Sequence, residues 1–325
     1  MQSDPAQGPP AHDIAMWGAP GSGKTTLLAA LNIALMRRKD DWKIIGSDAA
    51  SSDYLIERTN ALSNGKIFPE ASQSLEHYRW TLVGPAERQE RRWLRKARPA
   101  PPLKIGISMV DAPGGLFGAG PGSGSGVVDD LRGRLMDNLV KSRGLVFLFD
   151  PIREFELGDA FDHLHPPLTR LAEKMLETGE LRDGMLPHHV AVCITKFDDP
   201  RVLETAEKLH LLDSSPDDEY GFPRVSSEDA RDLFRALCEV SASGNADMVV
   251  NALDQFFHRT RVEFFVTSSI GFYVRPHTKT FDPNDYQNLL PEAGRDLRIR
   301  GQVHPINVVE PMLWLGRRLA AGGPR

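Results

Sequence analysis

Cysteine is almost absent from this chain: Cys193 and Cys238 are the only two in 325 residues. One falls in an expected strand and the other in an expected helix, so a disulfide framework is excluded and a reducing, cytoplasmic setting fits best. No apolar run approaches the 18 residues of a membrane span, and the opening MQSDPAQGPPAHD is polar and proline-rich where a secretory signal would be apolar. Residues 1–12 are expected to be a disordered lead-in. Neither sign of charge is in large excess, with 39 Lys and Arg against 44 Asp and Glu and a net charge of −5, which argues against a general nucleic-acid binder. Internal repeats are also lacking. A hydrophobic content of 41% and a charged content of 26% exclude wholesale disorder.

What is present is alternation. Apolar runs at Ile14–Trp17, Trp42–Gly46, Tyr78–Val83, Leu103–Val110, Gly144–Phe149, His189–Ile194 and Val262–Thr267 read as strands. Helical patterns lie near Thr26–Arg38, Ala49–Leu62, Val127–Ser142, Leu168–Thr178, Ser227–Glu239, Ala246–His258 and Ile306–Leu319. The order predicts an α/β fold, a three-layer architecture with a mostly parallel sheet and one antiparallel edge strand. A single domain over 13–325 is expected, with surface insertions near 199–226 and 275–304, which are rich in prolines and turns.

The most informative stretch is Gly18-Ala19-Pro20-Gly21-Ser22-Gly23-Lys24-Thr25, a GxxxxGK[ST] phosphate-binding loop between an expected strand and an expected helix that opens at Thr26. Small residues let successive backbone N–H groups curl round a polyphosphate, and the helix N-terminus adds partial positive charge. Lys24 would reach the β- and γ-phosphates, and the Thr25 hydroxyl would ligate Mg²⁺. Downstream, Asp111-Ala112-Pro113-Gly114 ends a strand in DxxG form, so that Asp111 would hold Mg²⁺ through water and the Gly114 N–H would face the γ-phosphate. Thr195-Lys196-Phe197-Asp198 follows another strand and matches [NT]KxD, in which the Asp198 carboxylate accepts from guanine N1–H and the exocyclic amine. Thr267-Ser268-Ser269-Ile270-Gly271 follows the strand VEFFV and fits the loop whose N–H contacts guanine O6, Ser268 and Ser269 being its candidates; Val240-Ser241-Ala242-Ser243 is the rival.

With these motifs in order, the chain resembles the translation-factor and Ras-related (TRAFAC) class of P-loop GTPases over residues 13–272 and the closing helix. It is also similar to a group of poorly characterised bacterial GTPases, through Gly65-Lys66-Ile67-Phe68-Pro69-Glu70-Ala71-Ser72 and Asn307-Val308-Val309-Glu310-Pro311-Met312-Leu313-Trp314. The resemblance implies a GTP/GDP switch with Mg²⁺, and a switch I hydroxyl as further metal ligand. Ser72 is the candidate, Ser74 and Thr59 the alternatives.

Two departures bear on catalysis. Gly115 stands where Ras-like enzymes carry the glutamine that positions water, and Pro20 replaces a glycine of the loop. Slow intrinsic hydrolysis is therefore expected, unless an arginine comes from an activating partner or a second copy, or from Arg58, Arg79 or Lys66 in cis. The glycine-rich GGLFGAGPGSGSG from Gly114 reads as a switch that the γ-phosphate orders. A non-hydrolysing GTP-binding module and an ATP-using P-loop kinase are the rival readings. Arg88, Arg91, Arg92, Arg95, Lys96 and Arg98 surround Trp93 and form a solvated basic arm or a contact for an anionic surface, while His163, His165, His188 and His189 lack a zinc-ligand pattern.

Overall fold

The computed structural model describes residues 12–69, 76–86, 102–111, 126–214, 218–243, 246–292 and 295–321. Along the chain run β1 (His12–Gly18), α1 (Lys24–Arg37), β2 (Lys43–Gly46), α2 (Ala49–Asn60), β3 (Glu76–Ala86), β4 (Pro102–Asp111) and α3 (Gly126–Lys141). Then come β5 (Gly144–Phe149), α4 (Pro151–Leu157), α5 (Ala160–Glu177), β6 (His189–Ile194), α6 (Pro200–Lys208), β7 (Asp213–Ser214) and β8 (Pro223–Arg224). The last third holds α7 (Ser227–Glu239), α8 (Ala246–Phe256), β9 (Val262–Val266), β10 (Leu289–Glu292), β11 (Arg295–Ile299) and α9 (Glu310–Ala321).

Seven strands form the main sheet in the order β2-β3-β4-β1-β5-β6-β9. β4, β1, β5, β6 and β9 are mutually parallel, and β3 runs antiparallel to β4. β2 lies outside β3 and is antiparallel to it, so β3 alone runs against the other six strands at this edge of the sheet. The three-layer α/β class expected from the alternation is what is observed.

Side-chain alternation makes the layers. In β1, Ile14 and Met16 face a core with α1, α2 and α9, whereas Ala15 and Trp17 face a second core with α3, α5, α7 and α8. β5 and β6 divide in the same way: Val146, Leu148, Ala191 and Cys193 go to the first core, and Leu145, Phe147, Phe149, Val190, Val192 and Ile194 to the second. A strand buried on both faces needs a continuous apolar run, which GLVFLF supplies. Cys193 and Cys238 are buried and free, in different cores, and burial pushes both thiols up.

Some elements depart from the sequence reading. α5 begins at Ala160, not Leu168, and carries Pro166 and Pro167 in its interior. Each proline removes a ladder hydrogen bond, but Leu164, Pro167, Leu168, Leu171 and Met175 line one buried stripe at helical spacing, and burial outweighs the local loss. α9 begins at Glu310 instead of Ile306, because Ile306 is bridged to Ser268. α4 and α6 were not expected. Both start at Asp–Pro, where Asp150 and Asp199 accept from the first-turn amides and the proline occupies the first helical position. α6 and the β7–β8 pair fall in the segment 199–226, and the β10–β11 hairpin falls in 275–304.

Candidate functional site

Three loops leave the C-terminal ends of parallel strands on one side of the sheet: 19–23 after β1, 195–199 after β6 and 267–271 after β9, with β5 between β1 and β6. In open α/β sheets that edge is where ligands bind.

The first loop is built by its glycines. A Cβ on Gly18 would lie 2.7 Å from the Leu148 carbonyl oxygen, so the neighbouring strand can pass only a glycine there. Gly21 and Gly23 have φ of 74° and 94°, in the left-handed region that L side chains avoid. Gly23 caps α1 without a side-chain hydrogen bond, no acidic residue sits in the first turn, and the helix behind it buries Leu27, Leu28, Ala29, Ala30, Leu31, Ile33 and Leu35. The positive end of a rigid, buried helix therefore points into the loop. Lys24 Nζ donates to the Gly18 and Ala19 carbonyls at 3.0 Å each, folding the side chain over the loop. Ser22 Oγ is wholly buried with no hydrogen-bond partner among the described residues. An orphan hydroxyl, a lysine and a helix N-terminus converging on one loop are what an oxyanion-rich ligand satisfies. Pro20 and Thr26 are half-buried members of this loop and of the first turn of α1.

Thr25, next in α1, receives a hydrogen bond from Tyr54 Oη at 3.3 Å. Asp111 is the last residue of β4; Met109 pairs with Met16, which puts Asp111 at the level of Gly18. A threonine hydroxyl and a carboxylate are hard oxygen donors that suit Mg²⁺. Among the described residues no group of three His, Cys, Asp or Glu forms a metal cluster. Gly114, Gly115, Ser72, Ser74 and the basic arm at 88–98 lie outside the described residues. Thr59, the other switch candidate, is buried against α1 and accepts from Asn32 Nδ2.

The second and third loops meet. Lys196 takes φ of 59° and turns the chain so that Phe197 N bonds the Thr267 carbonyl. Asp198 is buried and its carboxylate accepts from the Ser268 hydroxyl, whose oxygen also accepts Gly271 N at 2.8 Å. Burial raises the Asp198 carboxyl to about 6, against the pull of the Ser268 hydrogen bond. Ser269 follows, half-buried. The rival loop is elsewhere: Ser241 bonds Glu154 and Ala242 N bonds the Glu154 carbonyl, at α4.

Two residues that sequence reasoning missed tie these loops together. Asp150, at the end of β5, accepts Lys196 Nζ at 2.6 Å while its other oxygen caps α4. Arg153, in the first turn of α4, is clamped on Asp159 and reaches the Pro20 carbonyl at 3.4 Å. The Asp–Pro pair at 150–151 is the signal that marks both. Of the arginines considered in cis, Arg58 lies over the Tyr54 ring, 5.1 Å from its centroid. Lys66 follows α2 at the end remote from Thr25, where its carbonyl accepts Ile299 N.

No protein-family model and no curated protein sequence matches the chain. Solved structures similar to it include the signal recognition particle receptor SRb-GTP/SRX complex from Chaetomium thermophilum, at 15% identity over 82% of this chain and 94% of that one, with a TM-score of 0.37. Sup35 complexed with GDP is 12% identical over 81% of this chain and 38% of its own, with a TM-score of 0.29. The GTPase-like domain of S. cerevisiae Ski7, bound to GTP, is 12% identical over 79% and 42%, with a TM-score of 0.31. No helix among the described residues is long and apolar enough to cross a membrane.

Proposed function

We propose that the protein binds guanine nucleotides and slowly hydrolyses GTP to GDP and phosphate, acting as a nucleotide switch. One observation carries this reading: the phosphate loop and a buried carboxylate, Asp198, occupy ends of parallel strands of one sheet, with Lys196 linked through Asp150 to the strand between them. The loop amides of Gly21, Gly23 and Lys24 cradle phosphates together with the Ser22 hydroxyl, the Ser22 N–H being bonded to the Ala19 carbonyl, and Lys24 exchanges its carbonyl partners for phosphate oxygens. Asp198 accepts the donor pair N1–H and 2-NH₂ of guanine, which adenine lacks. Ser268 holds the carboxylate through its hydroxyl while its own N–H is spent on the Ile306 carbonyl, which leaves the Ser269 N–H for the base. Thr25 and Asp111, with Ser72, would hold Mg²⁺, which when bound neutralises charge on the β- and γ-phosphates.

Gly114 in DxxG supplies its N–H to the γ-phosphate. With glycine at 115, water is oriented poorly, so that a partner protein or a second copy supplying an arginine sets the working rate. The cytoplasm is the compartment, and the basic arm at 88–98 would be solvated or meet an anionic surface. Single-turnover hydrolysis of GTP with Mg²⁺ tests the reaction. Phosphate release above the solution background, abolished in Lys24→Ala, is expected. Tight binding with release at background would make the chain a non-hydrolysing GTP-binding module.

A further inference from the structure

The helix α2 lies beside α1: Tyr54 meets Thr25, and one turn further Thr59 meets Asn32. Its seat is fixed by Ser51. The Asp48 carboxylate accepts Ser51 N at 2.7 Å, the Ser51 hydroxyl accepts Arg79 N at 3.1 Å, and the Ser51 carbonyl accepts Trp80 Nε1 at 2.8 Å. Ser47 N adds a bond to the Arg79 carbonyl. α2 is thus stapled to β3 one turn before Tyr54.

The Tyr54 ring is held just as firmly. It packs on Tyr78 with centroids 4.0 Å apart and on Trp80 at 6.1 Å, with the Arg58 guanidinium 5.1 Å away, and the residue is only 6% exposed. A buried tyrosine needs a partner for its hydroxyl, and Thr25 Oγ1 is one, accepting from Tyr54 Oη. A threonine in a helix divides between two χ1 rotamers, so a fixed donor selects one. A hydroxyl has one proton and two lone pairs. With one lone pair taken by Tyr54, Thr25 keeps the other for a cation and its proton for a neighbouring acceptor.

We propose that Tyr54 is a positioning residue of the metal site: its hydroxyl, locked by the stack on Tyr78 and Trp80, fixes the Thr25 hydroxyl in the orientation that receives a divalent cation. The inference rests on the reading of Thr25 as a metal ligand. It makes the α2 segment, inserted between α1 and the phosphate-facing end of β3, part of the metal site and not a surface addition.

The test is calorimetric binding of GDP to wild-type protein and Tyr54→Phe over a series of free Mg²⁺ concentrations and in EDTA. Phenylalanine keeps the stacked ring, so the fold is retained, and a thermal melt checks it. The Mg²⁺ concentration giving half of the affinity gain should rise on the order of tenfold, the usual effect of losing a group that orients a ligand, with affinity in EDTA unchanged. In a Thr25→Ala background, Tyr54→Phe should have no further effect on the Mg²⁺ response. An unchanged Mg²⁺ response, an equal loss in EDTA, or the same shift without Thr25 would overturn the proposal. Wild-type affinity that ignores Mg²⁺ altogether would instead sink the assignment of Thr25 as a ligand, and this proposal with it.

Discussion

On the proposed reading, one residue, Asp198, sets both base choice and pH response. Burial pushes its carboxyl up from the usual carboxylate range to about 6 in the folded protein. Guanine needs the ionised form, so GDP affinity should be level above pH 7 and fall about tenfold per unit well below pH 6. Calorimetry from pH 5 to 8 checks this, and Asp198→Asn should bind GDP weakly with no such slope. The same residue affects stability with the opposite sense. Between about 4 and 6 the folded state holds a proton that the unfolded state has released, so the Asp198 contribution to stability falls as pH rises through that window. His188 works the other way. Burial and the Arg143 charge lower it to about 3, so the folded protein resists protonation while the unfolded chain takes it up below 6.5. Stability linked to His188 is complete above 6.5 and is lost on acidification, by on the order of 2 kcal/mol at pH 5. His189 and His304, both lowered to about 4 chiefly by burial, add to the trend. Thermal unfolding at pH 5 and 7.5 should show the drop, and His188→Leu should shrink it.

At the scale of elements, the 267–271 loop depends on the excursion between β9 and α9. Gly271 has φ of 65°, and a Cβ there would meet the His304 carbonyl oxygen at 1.8 Å, so the loop and the returning chain fit together only around a glycine. Asn288, buried beside it, donates to the Ile270 and Gln302 carbonyls. Gly271→Ala should lower stability by about 2 kcal/mol or more in a denaturant titration and weaken GDP binding more than phosphate-loop contacts alone would explain. In the sequence, 275–304 reads only as polar and turn-rich. Its contacts are made by backbone groups and one asparagine, which leave no periodic pattern. α4 and α6 were legible in principle, since Asp–Pro followed by a short apolar stripe is a helix start, but their lengths are below what periodicity detects. The early part of α5 was hidden by two prolines that burial overrides.

For the whole molecule, the sheet was legible because central strands buried on both faces need apolar runs such as GLVFLF and HVAVCI, while the outer β3 shows the alternation of a strand buried on one face. The 18–25 and 195–198 loops stand out in the sequence because the chemistry proposed for them demands particular residue types at fixed spacing. Asp150 and Tyr54 were not, because each acts by where the fold puts it: one at the end of β5 under Lys196, the other on α2 beside Thr25. Both arise from packing between segments far apart in the chain, which no local pattern encodes.

The guanine assignment stands or falls on base selectivity. Calorimetric titration of the wild-type protein with GTPγS, GDP and ATPγS in Mg²⁺ should give tight binding of both guanine nucleotides and binding of ATPγS weaker by on the order of a hundredfold or more, since adenine leaves the buried Asp198 carboxylate without its donor pair. ATPγS bound as tightly as GTPγS, with Asp198→Asn changing neither, would contradict it and return the site to an ATP-using P-loop protein.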